Sequence, residues 1–443
     1  MGSGLRGIML YKIQGLYKTR FFKNIMSLYF IAAINLFIPI FIVPYITFAL
    51  GLEKFGVFVV CAALFQYGVI LTEFSTTSPL VKHLALSNAE CGIEQLFYVF
   101  RFRLKICSIF LLVALSYISL FLPEIPWIDI VLGVLALVGV ATNPIAIFQF
   151  NEVLPVYAII TCVCRAIVSA CLLVIISLPY NHGTWIAMLF QFSPFFLVTP
   201  IAWFWILKKK IISLPDFYLY TKKTVSFHKF EKEKGNNVIK ESGALFIGTF
   251  FSSLYTLAVP IIVRIFFGDG AAGVYGLIDR ISQPVKQAII PLINVIYPKI
   301  CRLIKEHRVS AIRLCCKSLV FILVCSCLFF VMSSILKEKI IIYVFKNGFD
   351  ISLITPIAIN IVGVFLSQAL VSFFIVPFGM SYILKYLYAI MFCIFCYTIY
   401  FSVHQWGEIG VYWSLAMLEM VGVIVLSCIF LYSLLNFKKN NVG

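Results

Sequence analysis

The chain has 443 residues, of which 62% are hydrophobic and only 12% are charged. A soluble domain of this composition would lack the polar surface that water requires, whereas lipid accepts apolar surface without penalty. The formal net charge is +17 at pH 7, but the basic residues are scattered over linkers rather than gathered on one folded face. We therefore expect a polytopic membrane protein that meets anionic lipid headgroups and binds no nucleic acid.

Twelve long apolar segments follow one another along the chain. Each is close to the ~20 residues that a helix needs to cross about 30 Å of hydrocarbon. Runs such as Ile109–Leu120 do not alternate apolar with polar residues, which excludes a transmembrane barrel. The predicted spans are 28–48, 55–78, 104–122, 128–148, 153–178, 183–207, 241–263, 272–296, 314–335, 353–378, 383–401 and 408–435.

Basic residues in the linkers predict the orientation of the chain. On the side of the two termini lie 27 of the 35 Lys and Arg residues, and the other side has five. Because basic residues are disfavoured in translocated loops, both termini are expected in the cytoplasm. The first apolar run is too long for a cleavable signal peptide and has no small-residue cleavage site, so we expect it to be the first span.

The 14 cysteines lie mostly within predicted spans, where a thiol behaves as a small apolar residue. No histidine has a second metal-binding residue at ligand spacing, and no phosphate-binding glycine loop is present. We therefore expect no disulfide, no metal and no cofactor. The lack of a clustered nucleophile and base also argues against an enzyme.

One long basic linker divides the twelve spans six and six. This organisation predicts an N-terminal lobe (1–207), a cytoplasmic linker (208–240) and a C-terminal lobe (241–443) around a central cavity. A glycine repeat supports the division, since Gly51 and Gly56 recur as Gly268 and Gly273 with the same spacing.

A stripe of polar residues marks the predicted span 272–296. Counting 100° per residue from Asp279 places Gln283, Lys286 and Asn294 on the same side as Arg280, within an arc of about 120°. Charges in a membrane helix cost about 2.5 to 3.5 kcal/mol each unless they face protein or a wet cavity. This pattern favours a hydrated cavity; the alternative is a structural ion pair between Asp279 and Arg280 or Lys286.

Four further polar residues lie inside predicted spans. Arg165 is near the middle of its span and requires a carboxylate partner, such as Glu73 or Glu419, or an anionic substrate. Glu73 shares a predicted helix face with Gln66 and Thr77, which indicates that it faces the interior. A substrate role and a structural role are equally compatible with Glu419. The candidate cavity residues are Arg165, Arg280, Lys286, Glu73, Asp279, Gln283, Gln66 and Glu419.

Several short motifs lie along the chain. They are Ser27-Leu28-Tyr29, Ile38-Pro39, Val43-Pro44-Tyr45-Ile46, Leu50-Gly51, Phe55-Gly56, Leu71-Thr72-Glu73-Phe74, Gly273-Val274-Tyr275-Gly276, Ile296-Tyr297-Pro298-Lys299, Ile342-Tyr343-Val344-Phe345 and Gly348-Phe349. Together they resemble the motifs of polysaccharide exporters, and in particular those of the O-antigen flippase (Wzx) family. The match is good over the first 80 or so residues and patchy afterwards. Ser75 and Phe150 depart from it, because the family tends to have glycine there.

The resemblance implies the fold of multidrug, oligosaccharidyl-lipid and polysaccharide (MOP) exporters, in which two six-helix lobes open alternately to the two sides of the bacterial inner membrane. It implies a single O-antigen repeat unit, linked through pyrophosphate to undecaprenol, as cargo. The O-antigen polymerase and chain-length machinery are implied partners, and proton or sodium coupling stays open. Lysine and arginine side chains in the cavity would bind the pyrophosphate through charge-assisted hydrogen bonds. They argue against the main alternative, a small-solute antiporter of the same fold.

Overall fold

A computed structural model describes residues 38–86, 89–151, 153–178, 182–211, 229–340, 350–380 and 382–440. Almost all of these residues are helical. In the N-terminal half the helices are α1 Ile38–Leu50, α2 Leu52–Glu73, α3 Thr77–Leu86, α4 Ala89–Phe121, α5 Trp127–Ala141, α6 Ile145–Phe150, α7 Leu154–Ser177 and α8 Trp185–Lys208.

The C-terminal half begins with a long helix, α9 (Lys229–Gln287), which a non-helical Gly268 divides into α9a (229–267) and α9b (269–287). A similar break at Gly407 divides the last helix, α14 (Tyr382–Asn440), into α14a (382–406) and α14b (408–440). Between them lie α10 Ile290–Glu306, α11 Arg308–Ile335, α12 Lys337–Ile340 and α13 Ile354–Leu370, which continues as a π-helix over Val371–Ile375.

Within the described ranges, nine helices are long and apolar enough to cross a membrane. Two of these nine are the glycine-broken α9 and α14, and the shorter apolar helix α1 overlaps the first predicted span. The prediction of an all-helical membrane protein is confirmed. The count of twelve spans stays a prediction, and so does the exact division into two lobes and a linker.

Three predicted spans differ from the helices that form. The span 55–78 ends at Glu73, and α6 follows a break after α5 within the span 128–148. The prediction of one helix over 272–296 is wrong, because α9b ends at Gln287 and α10 begins at Ile290. Pro291 explains this break, since proline has no backbone N–H to donate to the carbonyl of Gln287. The expected stripe therefore stops before Asn294, which belongs to α10.

Within each half the helices pack on one another. In the N-terminal half α5 packs on α2 and α8, and α7 packs on α8; in the C-terminal half α13 lies between α11 and α14. Large apolar side chains remain exposed on the outer helices, with Leu112 of α4 at 71% and Ile335 of α11 at 69%. Such surface is expected where helices face lipid, because lipid tails are as apolar as the side chains.

Candidate functional site

The two halves of the chain meet closely where α2 crosses α9b. Gly56 of α2 lies against the backbone of Asp269, and Gly273 of α9b lies against the backbone of Leu52. A Cβ atom at either glycine would overlap a carbonyl oxygen of the opposite helix. Only glycine therefore permits this approach of the two backbones.

The two glycine pairs of the repeat occupy equivalent positions at this crossing. Gly51 precedes α2 with a φ of 78°, and Gly268 precedes α9b with a φ of 85°, a region that favours glycine. Gln66 and Gln283 follow the same repeat, because they are as far apart in the sequence as Gly51 and Gly268. Each amide lies roughly 15 Å beyond the crossing along its helix, at 1.5 Å per residue. The repeat thus places one glutamine on each of the two facing helices.

Asp279, Gln283 and Lys286 come together on α9b, as their helical spacing predicts. Lys286 Nζ lies 3.8 Å from Asp279 Oδ1, and Gln283 Nε2 donates to the same oxygen at 3.2 Å. The structural ion pair is therefore present in this conformation. The side chains of Lys286 and Asp279 are 18% and 35% exposed. Because partly exposed ion pairs are weak, an anionic ligand can compete with Asp279 for Lys286.

Arg280 contacts α2. Its Cζ lies 4.5 Å from the ring centroid of Phe58 and 5.5 Å from that of Phe55, and both rings are almost fully buried. A guanidinium over an aromatic face is worth on the order of 0.5 to 2 kcal/mol. Arg280 therefore ties α9b to α2 near the glycine crossing, and contact with a substrate stays a prediction for this residue.

Arg165 lies on α7, where it is half-buried. Its Cζ is 5.8 Å from the ring centroid of Phe190 on α8, and its backbone carbonyl accepts a hydrogen bond of 2.7 Å from the Ser169 hydroxyl. The structure thus places this cation in the N-terminal half, between α7 and α8. Its predicted substrate-facing role stays a prediction.

Glu73 is the last residue of α2. The helix ends there because Phe74 and Ser75 both adopt a φ of 50°, the left-handed region. The expectation that Glu73 and Thr77 share one helix face is therefore wrong, since Thr77 begins α3. The turn still brings them together, with the Thr77 hydroxyl donating to Glu73 Oε1 at 3.1 Å. Glu73 is exposed at this turn.

Arg103 was not among the candidates, yet it is 2% exposed beside the same turn. Its Nε donates to the Thr76 hydroxyl at 2.7 Å, and its Nη2 donates to the Thr77 hydroxyl at 3.1 Å. The sequence contained a signal, because Arg103 continues the helical spacing of buried Leu96, Val99 and Phe100. Arg103 lies just before the predicted span 104–122, so a place inside the helix packing was not expected.

Glu419 lies on α14b, in the C-terminal half. The Ser367 hydroxyl of α13 is 3.4 Å from Glu419 Oε2, and Gly363 of α13 gives room for the Glu419 side chain. Among the residues that the structure describes, no three His, Cys, Asp or Glu side chains form a group able to hold a metal.

Comparisons with known proteins agree with this architecture. A family model described as "Polysaccharide biosynthesis protein" matches residues 21–304. The chain is 23% identical over 300 residues to the "Putative O-antigen transporter" of Escherichia coli strain K12, covering 67% of this chain and 69% of that protein.

Two solved structures show the same fold. One is the lipid II flippase MurJ in an inward closed conformation, with a TM-score of 0.65, 13% identity and coverage of 91% of this chain and 86% of that one. The other is an inward-facing multidrug resistance MATE family transporter of the MOP superfamily, with a TM-score of 0.62, 12% identity and coverage of 92% and 95%. Since the family model matches more than half of the chain, this multi-pass membrane protein belongs to the polysaccharide biosynthesis protein family and has the fold of these transporters.

Proposed function

We propose that this protein flips undecaprenyl-pyrophosphate-linked O-antigen repeat units from the cytoplasmic to the periplasmic leaflet of the bacterial inner membrane. The observation that carries the proposal is the weakly held cation Lys286 on α9b, the helix that crosses α2. A pyrophosphate carries at least two negative charges, and lysine and arginine bind such a group through charge-assisted hydrogen bonds. The similarity to the E. coli "Putative O-antigen transporter" supports this cargo.

The proposed mechanism is alternating access between the two halves. The pyrophosphate displaces Asp279 from Lys286 and also engages Arg165, while the lipid tail stays in the bilayer between the halves. Gln66 and Gln283 provide amides on the two facing helices for the sugars. When the head group leaves on the other side, Asp279 returns to Lys286 and restores the ion pair seen in the structure.

The direction of transport rests on the predicted orientation. With both termini in the cytoplasm, the Glu241 end of α9a faces the cytoplasm and the Arg264 end faces the periplasm. The polymerase and chain-length machinery that use the flipped unit would then meet it on the periplasmic side. Proton or sodium coupling belongs to the same proposal, with Glu73, Asp279 and Glu419 as the carboxylates available for it.

The test is the surface O-antigen of a strain deleted for this gene, read on a lipopolysaccharide gel. We expect the ladder to disappear on deletion and to return with the wild-type gene but not with Arg165→Ala. Arg313→Ala, which removes an exposed arginine of α11, is the matched control and should restore the ladder. Membrane levels of each variant are measured in parallel. An unchanged ladder on deletion would contradict the proposed cargo and favour another lipid-linked glycan or a small-solute antiporter.

A further inference from the structure

The helix α9a belongs to the C-terminal half by sequence but contacts the N-terminal half at points from Asn236 to Arg264. Near its middle, the Tyr67 hydroxyl of α2 donates to the Leu254 carbonyl at 2.7 Å. On its other side, Phe251 and Tyr255 pack their rings on α14a. The helix therefore lies between the two halves and is held by both.

At its Glu241 end, α9a is joined to α3 by an ion pair. Lys82 Nζ donates to both carboxylate oxygens of Glu241, at 3.0 and 3.2 Å, and His83 Nε2 lies 3.6 Å from Oε1. These bonds from Lys82, together with the charges of Lys82 and His83, hold the pKa of the exposed Glu241 carboxyl below its usual value. The carboxylate is thus ionised at neutral pH, as an ion pair requires.

The turn between α2 and α3 adds two uncharged contacts beside this ion pair. The Phe74 ring stacks on Phe246 with 4.3 Å between centroids, and the Ser75 and Thr249 hydroxyls are 3.2 Å apart. Arg103 holds the same turn from the N-terminal side through Thr76. The Glu241 end is therefore closed by a charged contact and an aromatic stack.

At its other end, α9a carries a second ion pair to the N-terminal half. Arg264 Nη2 donates to Glu124 Oε2 at 2.8 Å, and Glu124 lies in the connection between α4 and α5. Arg264 Nε also lies 2.6 Å from Asp269 Oδ1 on α9b. Since the backbone of Asp269 contacts Gly56, this network adjoins the glycine crossing.

The two ion pairs are far enough apart along α9a to lie on opposite sides of a membrane. From Glu241 to Arg264 the helix rises roughly 34 Å at 1.5 Å per residue, which matches the thickness of a bilayer core of about 30 Å. Both pairs join the N-terminal half to α9a, so either side can open at α9a only if its own pair breaks. Both are partly exposed, and exposed ion pairs are weak enough to break in every cycle.

We propose that Lys82–Glu241 and Arg264–Glu124 are the two gate latches of the transporter, which open in alternation while α9a stays attached at the opposite end. The conformation in the structure, with both latches closed, is the occluded intermediate between the two open states. This inference rests on the proposed transport cycle, because it assigns the latches to the two sides that the cargo enters and leaves.

Hydrogen exchange measured by mass spectrometry on the full chain in nanodiscs tests the latches without any cargo. Glu241→Gln should speed amide exchange about tenfold in residues 76–86 and 236–245 and leave residues 122–126 and 264–270 unchanged, since only one end loses its ion pair. Glu124→Gln should produce the reverse pattern. Glu306→Gln, at an exposed carboxylate of α10, is the control and should alter neither end.

Unchanged exchange in both latch variants, or faster exchange at both ends of either variant, would overturn the proposal. Export gives a second, independent readout. Lys82→Glu and Glu241→Lys should each lose most O-antigen export, and the combined charge swap should recover at least half of it, because the ion pair reforms with reversed charges. If deletion of the gene leaves O-antigen unchanged, the proposed cargo fails, and the exchange patterns still decide the latches.

Discussion

The helices α2 and α9b share one backbone design but differ in their chemistry. Each follows a glycine with positive φ, crosses the other helix through a second glycine, and carries a glutamine at the same distance from the crossing. The α9b residues Asp279, Arg280 and Lys286 have apolar counterparts at the same separation on α2. These counterparts are Ala62, Ala63 and Val69.

This difference separates two requirements of the protein. The close crossing needs glycine on both helices, because each backbone contacts the other. At the three compared positions only α9b is charged, and in the proposed cycle its Lys286 binds the head group. The repeat therefore preserves the geometry of the crossing while the chemistry has diverged, and substitutions can test the two features separately.

The largest effect is expected at the crossing itself. Gly273→Leu places a side chain where the Leu52 carbonyl now lies, so the helices must separate. We expect a loss of about 3 kcal/mol of stability, the upper part of the range for overpacking a well-packed contact. The thermal unfolding midpoint of the purified protein in detergent and its level in the membrane measure this loss.

Gly248→Leu is the matched control, because nothing lies within 4 Å of a Cβ built at this glycine of α9a. Its unfolding midpoint should stay close to that of the wild type. An equal loss of stability in both variants would show that the crossing has no special role.

A large effect on export, with little effect on stability, is expected at the charged residues of α9b. Lys286→Gln removes the cation that we propose for the head group, and its loss should reduce export at least tenfold, equivalent to about 1.4 kcal/mol. Lys286→Arg keeps a cation and should retain most of the export. Both are measured as the amount of surface O-antigen relative to the membrane level of the protein.

Lys317→Gln, at an exposed lysine of α11, controls for a general loss of positive charge and should export normally. Full export by Lys286→Gln would show that the ion pair with Asp279 is only structural.

A smaller effect is expected for Arg280, which the structure places on the rings of Phe55 and Phe58. Arg280→Met keeps an unbranched side chain but loses the attraction between the guanidinium and the rings, about 1 kcal/mol. The unfolding midpoint should fall by about 2 °C, while export falls less than in Lys286→Gln. A variant with an unchanged midpoint and abolished export would instead make Arg280 a ligand of the cargo.

The sequence predicted the helical membrane fold, the glycine repeat and the stripe of Asp279, Gln283 and Lys286. These features depend on local composition and on spacing along one helix, which the sequence shows directly. The ion pairs from α9a to Lys82 and Glu124 could not be predicted, because they join residues far apart in the chain whose proximity depends on how the two halves dock.

Breaks inside apolar runs were also missed. An apolar run of sufficient length predicts a span, but it does not show where the backbone changes direction within that span. Pro291 could have predicted the end of α9b, because proline interrupts a helix. No such residue marks the end of α2, where tertiary contacts hold Phe74 and Ser75 in the left-handed region.

The smallest expected effect concerns Ser75, whose φ of 50° favours glycine. Ser75→Ala loses the hydrogen bond to Thr249 and keeps the unfavourable backbone conformation, so it should lower the unfolding midpoint slightly. Ser75→Gly loses the same hydrogen bond but relieves the backbone, which costs other L-residues about 1 kcal/mol in this region. The glycine variant should therefore be more stable than the alanine variant by about that amount, after allowance for the extra freedom of glycine in the unfolded chain.

The thermal midpoints of the two variants measure the difference. An alanine variant at least as stable as the glycine variant would show that this turn stores no strain.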